Sequence, residues 1–331
     1  MTSGGVAEPP ALVFGPVPSR RLGRSIGINN IPPKVCSFAC VYCQVGPTLD
    51  RASEVQDFHE PQRVADEVAA HVTRVRDRGE DIDYLTFVPD GEPTLDAGLE
   101  TTIRLLRPLD VPIAVITNGS LLWRADVRDT LGRVDWVSVK VDAVTEETWR
   151  HVNRPAPELE FTAVLAGIER FAAAFNGDLV SETMLIAGMN DGVESIRAVG
   201  EFLHGAGFTR SYLSIPTRPT PFAAITAPDE ETVNRAFHEL AEHVPQVEYL
   251  VGYEGDEFAS TGDARTDLLD ITAVHPMRIS AVQELLQRSG ARWSIVDDLV
   301  AGGSLIETTH RGETFYVRRF SRPRNPSPDR D

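Results

Sequence analysis

Residues 36–43, CSFACVYC, contain all three cysteines of the chain in the spacing C-x3-C-x2-C. Iron–sulfur clusters are held by cysteine thiolates, and a four-iron four-sulfur cluster usually takes four of them. Three thiolates therefore leave one iron without a protein ligand. An open coordination position is where a substrate or cosubstrate binds, as in catalytic zinc sites. The stretch predicts a reaction centre built on one such cluster, with Cys36, Cys40 and Cys43 as its ligands.

Other uses of three neighbouring cysteines fit this pattern less well. Buried structural cysteines would be scattered along the chain. A disulfide would leave one thiol over, and disulfides are rare in cytosolic proteins. A zinc site with His59 as fourth ligand stays open, although this spacing matches no common zinc pattern.

Length and composition indicate one large domain followed by a small one, since the chain has 331 residues, 42 % of them hydrophobic. No apolar run approaches the ~18 residues of a membrane helix, so no membrane association is expected. The start, MTSGGVAEPP, has neither the basic nor the apolar region of a signal peptide. With thiols kept reduced, these features predict a cytoplasmic protein.

The charge balance is acidic, with a formal net charge of −17. Such a surface repels nucleic-acid phosphates unless it carries a local basic patch. Lysine occurs only at Lys34 and Lys140, against 30 arginines (the 32 basic residues minus these two). Because lysine and arginine are not interchangeable, both lysines are candidates for roles that arginine cannot fill.

Between about residues 25 and 250, segments of strand character alternate with segments of helical character. The predicted strands cover 25–29, 84–89, 112–117, 136–142, 179–186 and 212–215. The predicted helices cover 61–79, 97–107, 122–132, 145–152, 160–175, 193–206 and 229–243. Repeated β-α units imply a parallel sheet with helices outside it. Six units predict an α/β fold, a partial (β/α)6 TIM-like barrel over 14–250, with its chemistry at the carboxyl ends of the strands.

The segments outside the barrel are predicted from composition and pattern. Residues 1–13 are expected to form a flexible lead, and 251–274, rich in acidic, glycine and small residues, a linker. Over 275–320, helices at 276–289 and 293–301 precede strands at 304–309 and 314–320, joined by a turn. Two helices followed by a hairpin resemble a winged-helix module. The Pro-rich, polar tail 321–331 is expected to be disordered.

A second motif, Asp90-Gly91-Glu92-Pro93-Thr94, follows the second predicted strand. Gly91 lets a ligand approach the backbone closely, and Glu92 can accept hydrogen bonds from an ammonium group. Pro93 makes a turn, and Thr94 can cap the next helix. Alone, the string suits an ordinary turn; one strand away from the cysteines, it predicts a ligand site.

Together the two motifs resemble those of radical S-adenosylmethionine (radical SAM) enzymes. Residues 36–43 match the cluster motif of that superfamily, and Gly91-Glu92-Pro93 resembles its glycine–glutamate motif, which binds the methionine amino group. The resemblance covers about residues 14–250. The strings FGPVPSRRLGRSIGIN at 14–29, GEPTL at 91–95 and IPTRP at 215–219 are further similar to the wyosine-synthase-like group of iron–sulfur oxidoreductases.

The resemblance implies the cofactors and the first chemical step. One four-iron four-sulfur cluster binds S-adenosylmethionine at its open iron. One electron, from a donor such as flavodoxin or ferredoxin, breaks the carbon–sulfur bond, and a 5′-deoxyadenosyl radical abstracts hydrogen from the substrate. Wyosine synthases join pyruvate-derived carbons to a tRNA guanine and hold a second cluster with further cysteines. This chain has no further cysteines, so the resemblance leaves the substrate unassigned.

The fourth predicted strand alternates valines with Ser138, Lys140 and Asp142. A parallel strand buried on both faces would be apolar throughout, so these polar residues are expected to line a cavity. The alternative is a solvated edge strand. The resemblance implies ribose- or carboxylate-binding groups here. Glu182 on the fifth strand and Asn118 are further cofactor-binding candidates, and Asn118 also suits a plain turn.

The remaining candidates are aromatic or basic. Tyr42 can shield the cluster, stack on a base or only pack. Arg218 and Lys140 are candidates for catalytic contact with the substrate. Basic side chains that can face an anion, or only neutralise part of the acidic surface, precede the first strand at Arg20, Arg21 and Arg24.

Three hypotheses result. The first is a radical SAM enzyme with an unidentified substrate, in which the winged-helix-like module recruits RNA or protein. The second is a redox-sensing iron–sulfur regulator that acts through that module. The third is a zinc-stabilised structural protein.

Overall fold

The computed structural model describes residues 11–250, 263–274, 276–310 and 312–319. The strands of the first 250 residues are β1 Val13–Ser19, β2 Gly23–Ile28, β3 Val35–Cys36, β4 Asp50–Arg51, β5 Tyr84–Phe87, β6 Ile113–Thr117, β7 Trp136–Lys140, β8 Asp178–Met184, β9 Arg210–Ser214 and β10 Gln246–Leu250. The helices there are α1 Pro61–Asp77, α2 Leu99–Leu106, α3 Ala125–Leu131, α4 Glu146–Val152, α5 Phe161–Ala174, α6 Val193–Gly205 and α7 Glu230–Ala241.

Within the described residues, eight strands form one sheet in the order β1-β2-β5-β6-β7-β8-β9-β10. The strands from β2 to β10 run parallel, and β1 lies antiparallel against β2. A helix follows most strands of the parallel series and returns the chain to the next strand, as expected of β-α units. The predicted α/β partial barrel is confirmed, and all six predicted strands lie in it.

The two faces of the sheet carry different side chains. Val137 and Val139 face outward into the main hydrophobic core, which includes residues of the surrounding helices. The residues that alternate with them along the strand, such as Trp136 and Ser138, face inward. At the amino ends of the strands the interior is filled by Leu22, Ala114, Trp136, Val180 and Tyr212. Toward the carboxyl ends the inner face carries Ser138, Lys140 and Glu182, at the end of the barrel where an enzyme of this fold keeps its site.

Two strands of the sheet were not predicted. β1 contains Pro16 and Pro18, which normally exclude a segment from a strand. Here they are tolerated because β1 is the edge of the sheet and pairs on one side only. β10, also at an edge, alternates exposed Gln246 and Glu248 with half-buried Val247 and Tyr249, so it lacks the continuous apolar run of a strand buried on both faces.

The prediction of a linker over 251–274 is wrong for 264–274, which form helix α8 Ala264–Val274. Leu268 and Ile271 of this helix are buried. The prediction missed the helix because acidic residues beside them interrupt the apolar pattern of the sequence. Residues 251–262 lie outside the described residues, as do 1–10 and the tail 321–331. The flexible lead is wrong for its described part, since Leu12 and Val13 are buried.

The C-terminal elements are α8, β11 Met277–Arg278, α9 Ile279–Ser289, α10 Ser294–Ala301, β12 Leu305–His310 and β13 Glu313–Arg318. The predicted helix over 276–289 begins at Ile279, because Met277 and Arg278 pair with β13. The module contacts the barrel through β1. The backbone N–H of Ala11 donates to Asp270 Oδ1 at 3.2 Å, and Val17 packs against the core of the module.

Candidate functional site

The segment that contains the three cysteines lies across the carboxyl ends of the strands and is hydrogen-bonded on two sides. Toward β5, the N–H of Lys34 donates to Asp90 O at 2.6 Å, and Val35 O accepts from Glu92 N at 3.1 Å. Toward the end of α4, Val41 N donates to Val152 O at 2.9 Å. This segment is called the cysteine loop, residues 34–46. The backbone of two other elements thus fixes its position.

The three thiols are free of disulfides and partly buried. Burial raises the pKa of Cys40 to about 12, and it raises the pKa values of Cys36 and Cys43 as well. Lys34 acts in the opposite direction on the pKa of Cys43. Thiolates in such a place need positive charge or hydrogen-bond donors, and a metal centre supplies the charge.

The donor set fits a cluster better than a single metal ion. In the part of the chain that the structure describes, no three His, Cys, Asp or Glu side chains converge as ligands of one ion. A zinc ion would require that convergence, because its sulfur ligands lie about 2.3 Å from one centre. In a four-iron cluster each thiolate binds a different iron, so the sulfurs stand further apart. Three free thiols in one loop are the donor set of a four-iron four-sulfur cluster with one open iron.

Glu92 is buried, and its hydrogen-bond partners belong to the chain itself. Oε1 accepts from Thr94 N at 3.1 Å and from the hydroxyls of Thr94 and Thr117 at 2.6 Å each. Oε2 accepts from Asn118 N at 2.7 Å. Burial raises the pKa of Glu92, and these donors oppose that rise. The carboxylate thus joins the ends of β5 and β6, and it caps the turn that begins at Pro93.

Gly91 makes a close backbone approach, but to the cysteine loop. A Cβ placed on Gly91 would lie 2.0 Å from Val35 O. A side chain at this position would push the cysteine loop away from β5, which accounts for the glycine without a ligand.

The polar face of β7 lies inside the barrel. β7 is flanked by β6 and β8, so the edge-strand alternative is wrong. Ser138 is fully buried, and its hydroxyl has no hydrogen-bond partner within the described residues. Lys140 Nζ lies 2.7 Å from Glu182 Oε1 on β8. Ser138 and Lys140 therefore lie on the inner face of the sheet, as the alternation along β7 predicted.

Glu182 is held by two cations and a hydroxyl. Lys140 and Arg21 both pair with it, and Ser214 Oγ donates to it at 3.1 Å. Burial acts to raise the pKa of Glu182, but the two cations outweigh it and hold that pKa at about 2. Burial likewise acts to lower the pKa of Lys140, and Glu182 and Asp142 outweigh it, so that pKa is raised. Lys140 and Glu182 are therefore both charged at neutral pH.

Asp142 ties the cysteine loop to the end of β7. Its Oδ2 accepts from Tyr42 Oη and from Asn153 Nδ2, the latter at 2.7 Å. Its Oδ1 accepts from Met184 N at 2.8 Å. Burial raises the pKa of Asp142, while Lys140 and these donors act against the rise. Tyr42 is thus an anchor of the loop, and Lys140 Nζ lies 5.3 Å from its ring centroid.

Among the three arginines that precede the first predicted strand, only Arg21 reaches the interior. Arg20 and Arg24 are exposed, and Arg24 lies beside Asp83 at the amino end of β2. Arg218, in the loop after β9, is half-buried. Its backbone N–H donates to Gln44 Oε1 of the cysteine loop at 2.8 Å.

Four residues of the site were not among the predicted site residues: Lys34, Gln44, Asn153 and Arg21. The scarcity of lysine singled out Lys34, and the arginine cluster included Arg21. Nothing in the sequence pointed to Asn153 or Gln44, whose partners are 113 and up to 174 residues away.

A family model described as the Radical SAM superfamily matches residues 30–199, half of the chain, from the cysteine loop to α6. The chain belongs to the radical SAM superfamily. The cofactors of this superfamily are a four-iron four-sulfur cluster and S-adenosylmethionine, and the donor set of the cysteine loop fits the first of them.

Relatives and solved structures agree with this assignment. The chain is 41 % identical to UPF0026 protein MJ1312 of Methanocaldococcus jannaschii, over 96 % of this chain and 99 % of the relative. It is 32 % identical to a UPF0026 protein of Helicobacter pylori, over 68 % and 72 %. A radical SAM methyltransferase from Sphaerobacter thermophilus shares the fold, with a TM-score of 0.51 and 20 % identity over 68 % of this chain and 66 % of that one. TYW1 with a lysine-pyruvate adduct bound gives a TM-score of 0.50 and 16 % identity, over 67 % and 74 %. No helix of the described radical SAM chain has the length and apolarity that a membrane crossing requires.

Proposed function

We propose that this protein is a radical SAM enzyme that reductively cleaves S-adenosylmethionine and uses the 5′-deoxyadenosyl radical to take hydrogen from a substrate. The observation that supports the proposal most directly is the position of three free thiols at the carboxyl ends of β2 and β5, above a charged barrel interior. Family membership supplies the cofactors, and the interior supplies a place for the reacting molecules.

When bound, the reduced cluster and S-adenosylmethionine would supply a 5′-deoxyadenosyl radical, with methionine as the leaving group, and Cys36, Cys40 and Cys43 would hold that cluster. The protein orients these groups and excludes side reactions.

We propose the following roles for the residues of the site. Cys36, Cys40 and Cys43 hold the cluster, and Gly91, Glu92 and Pro93 shape the turn beside it. Cofactor-binding roles are also proposed for Tyr42, Asn118, Ser138, Asp142 and Glu182. Because Ser138 Oγ has no partner in the described residues and faces the interior, it is a ready donor or acceptor for a bound molecule.

Lys140 and Arg218 are proposed to contact the substrate. Since the pKa of Lys140 is raised, Lys140 is a cation and a hydrogen-bond donor at neutral pH and a poor amine nucleophile. A lysine–keto-acid adduct of the kind named for the TYW1 structure is therefore not favoured here. The strings at 14–29, 91–95 and 215–219 support placement in the wyosine-synthase-like group, and the substrate is a separate question.

The C-terminal module is proposed to be winged-helix-like and to recruit a partner. Its order of helix, short strand, two helices and hairpin supports that classification. Asp297 and Asp298 are exposed on α10, in a chain of net charge −17. These two carboxylates oppose phosphate contacts at α10, and the partner proposed for the module is RNA or protein. An electron donor such as flavodoxin or ferredoxin is the other partner that the reaction requires.

The experiment is anaerobic reconstitution with iron and sulfide, followed by dithionite and S-adenosylmethionine. We expect about four irons per chain and the appearance of 5′-deoxyadenosine. Cys40→Ala should abolish both, while Ser181→Ala, a buried change away from the cysteine loop, should abolish neither. A Cys40→Ala protein with full iron content and normal cleavage would refute the cluster assignment.

A further inference from the structure

The carboxamide of Asn118 has two N–H groups with different targets. Nδ2 lies 2.8 Å from Ser37 Oγ and 3.6 Å from Cys36 Sγ. Its orientation is determined, because Oδ1 accepts from Ser120 N at 2.9 Å. One hydrogen thus anchors the amide on a hydroxyl, and the other is directed at a thiol sulfur. Asn118 therefore contacts the cysteine loop through its side chain, in addition to forming the turn that its sequence suggested.

Asn153 repeats the arrangement on the opposite side of the cysteine loop. Nδ2 lies 2.7 Å from Asp142 Oδ2 and 3.5 Å from Cys40 Sγ. A carboxylate accepts only, so the nitrogen of the amide must face it. Asn153 is 2 % exposed, so its second hydrogen is shielded from bulk water. Again one hydrogen anchors the amide and the other faces a sulfur.

The third thiol has a cation nearby in place of an amide. Lys34 Nζ donates to Val45 O, two residues after Cys43, and would lie 3.4 Å from a Cβ on Gly46. Asp90 Oδ2 holds the ammonium from the other side at 2.6 Å. Lys34 is 6 % exposed, so solvent screens its charge little.

We propose that Asn118 and Asn153, which each direct an N–H at a cysteine sulfur, act together with the buried ammonium of Lys34 to raise the reduction potential of the cluster. Adding an electron to the cluster increases the negative charge on its sulfur ligands. Hydrogen bonds to sulfur and a nearby buried cation stabilise that added charge, and both are known determinants of cluster potential. The inference rests on the cluster of the proposed function and is independent of the substrate.

Asn118, Asn153 and Lys34 are proposed to act on the cluster through its cysteine ligands. The competing explanation is that they only stabilise the folded protein. A structural role predicts loss of folding stability or iron content with an unchanged potential. The donor role predicts a lower potential in a protein that keeps its iron. Potential and iron content together therefore separate the two accounts.

The experiment is a redox titration of reconstituted full-length holoprotein with dithionite, followed by electron paramagnetic resonance of the reduced cluster. Asn118→Leu is compared with Ser37→Ala, which removes the same amide–hydroxyl bond but leaves Asn118 beside Cys36. We expect Asn118→Leu to reduce the equilibrium constant of one-electron reduction about tenfold, which for one electron is about 59 mV. Ser37→Ala should keep the wild-type potential.

Asn153→Leu and Lys34→Met should lower the potential in the same direction, and Asn118→Asp should lower it more than Asn118→Leu, because a carboxylate repels the reduced cluster. If Lys34→Met does not fold, the two asparagines decide the question. Wild-type potentials in Asn118→Leu and Asn153→Leu, at full iron content, would overturn the inference while leaving the proposed function intact. A wild-type protein that takes up no iron would instead overturn the proposed function itself.

Discussion

Lys34 Nζ lies 2.6 Å from Asp90 Oδ2, and the two side chains are 6 % and 4 % exposed. Asp90 directly precedes Gly91, and Lys34 stands two residues before Cys36. The ion pair therefore joins the two motifs of the site through their side chains, in parallel with the backbone bond from Lys34 N to Asp90 O at 2.6 Å.

Lys34→Met is expected to destabilise the fold by about 3–5 kcal/mol, because it leaves Asp90 buried without its partner. Urea unfolding of the protein without iron measures this loss. The double variant Lys34→Met/Asp90→Asn should recover part of the stability, since neither charge is then left buried alone. Equal losses in the single and the double variant would show that the pair contributes nothing specific.

Glu92→Ala is expected to weaken S-adenosylmethionine binding by about 1.5–3 kcal/mol, the scale of a hydrogen bond to a charged group. It should also lower the melting temperature, because Thr94, Thr117 and Asn118 lose their common acceptor. Equilibrium binding to reconstituted protein and thermal unfolding measure the two effects. A lower melting temperature with an unchanged dissociation constant would limit Glu92 to organising the strand ends.

Glu182→Gln is expected to cost about 3–5 kcal/mol of folding stability at pH 7, because it leaves Lys140 and Arg21 without their carboxylate. The pKa of Glu182 is depressed to about 2, so the stability it contributes is present above pH 4.5 and lost as pH falls toward 2. The Glu182→Gln variant should therefore not lose this stability as pH falls from 4.5 toward 2. Ser214→Ala, which removes a neutral donor to the same carboxylate, should cost about 1 kcal/mol.

The pH dependence of Asp96 should have the opposite sign. Burial raises the pKa of Asp96 to about 6, against the donors Asn30 Nδ2 and Gly98 N. The folded state therefore binds a proton that the unfolded chain releases, and the free energy of unfolding falls as pH rises from about 4 to about 6. At ~1.4 kcal/mol per pKa unit, Asp96 accounts for about 2–3 kcal/mol of that fall. Urea unfolding across this range should show a flatter profile for Asp96→Asn, and an unchanged slope in the exposed control Asp66→Asn.

Truncation after Leu250 is expected to spare cleavage of S-adenosylmethionine if the C-terminal module only recruits a partner. A cut at residue 275 is a poorer design, because it separates α8 from α9 and exposes Leu268 and Ile271. The 5′-deoxyadenosine assay on the reconstituted truncation gives the result. Loss of cleavage in a truncation that keeps its iron and its circular dichroism would place the module in the active site.

The sequence alone determined the barrel and its six inner strands, and it predicted the three thiol ligands. These features are local: alternating apolar patterns report strands and helices, and three cysteines within eight residues need no distant partner to be read. The polar face of β7 was also predicted, because side-chain alternation in a strand follows from backbone geometry alone. The same local reasoning missed β1, whose prolines are acceptable only at the edge of a sheet, and α8, whose apolar face is short and interrupted by acids.

Only the tertiary structure decided which nitrogen meets which sulfur. Asn118 is 82 residues from Cys36, and Asn153 is 113 residues from Cys40. The ends of β6 and α4 bring these amides to the cysteine loop, and side-chain hydrogen bonds depend on ångström-scale placement that no periodicity records. The sequence therefore specifies the ligands, while the packing of distant elements specifies the charges and donors that surround them.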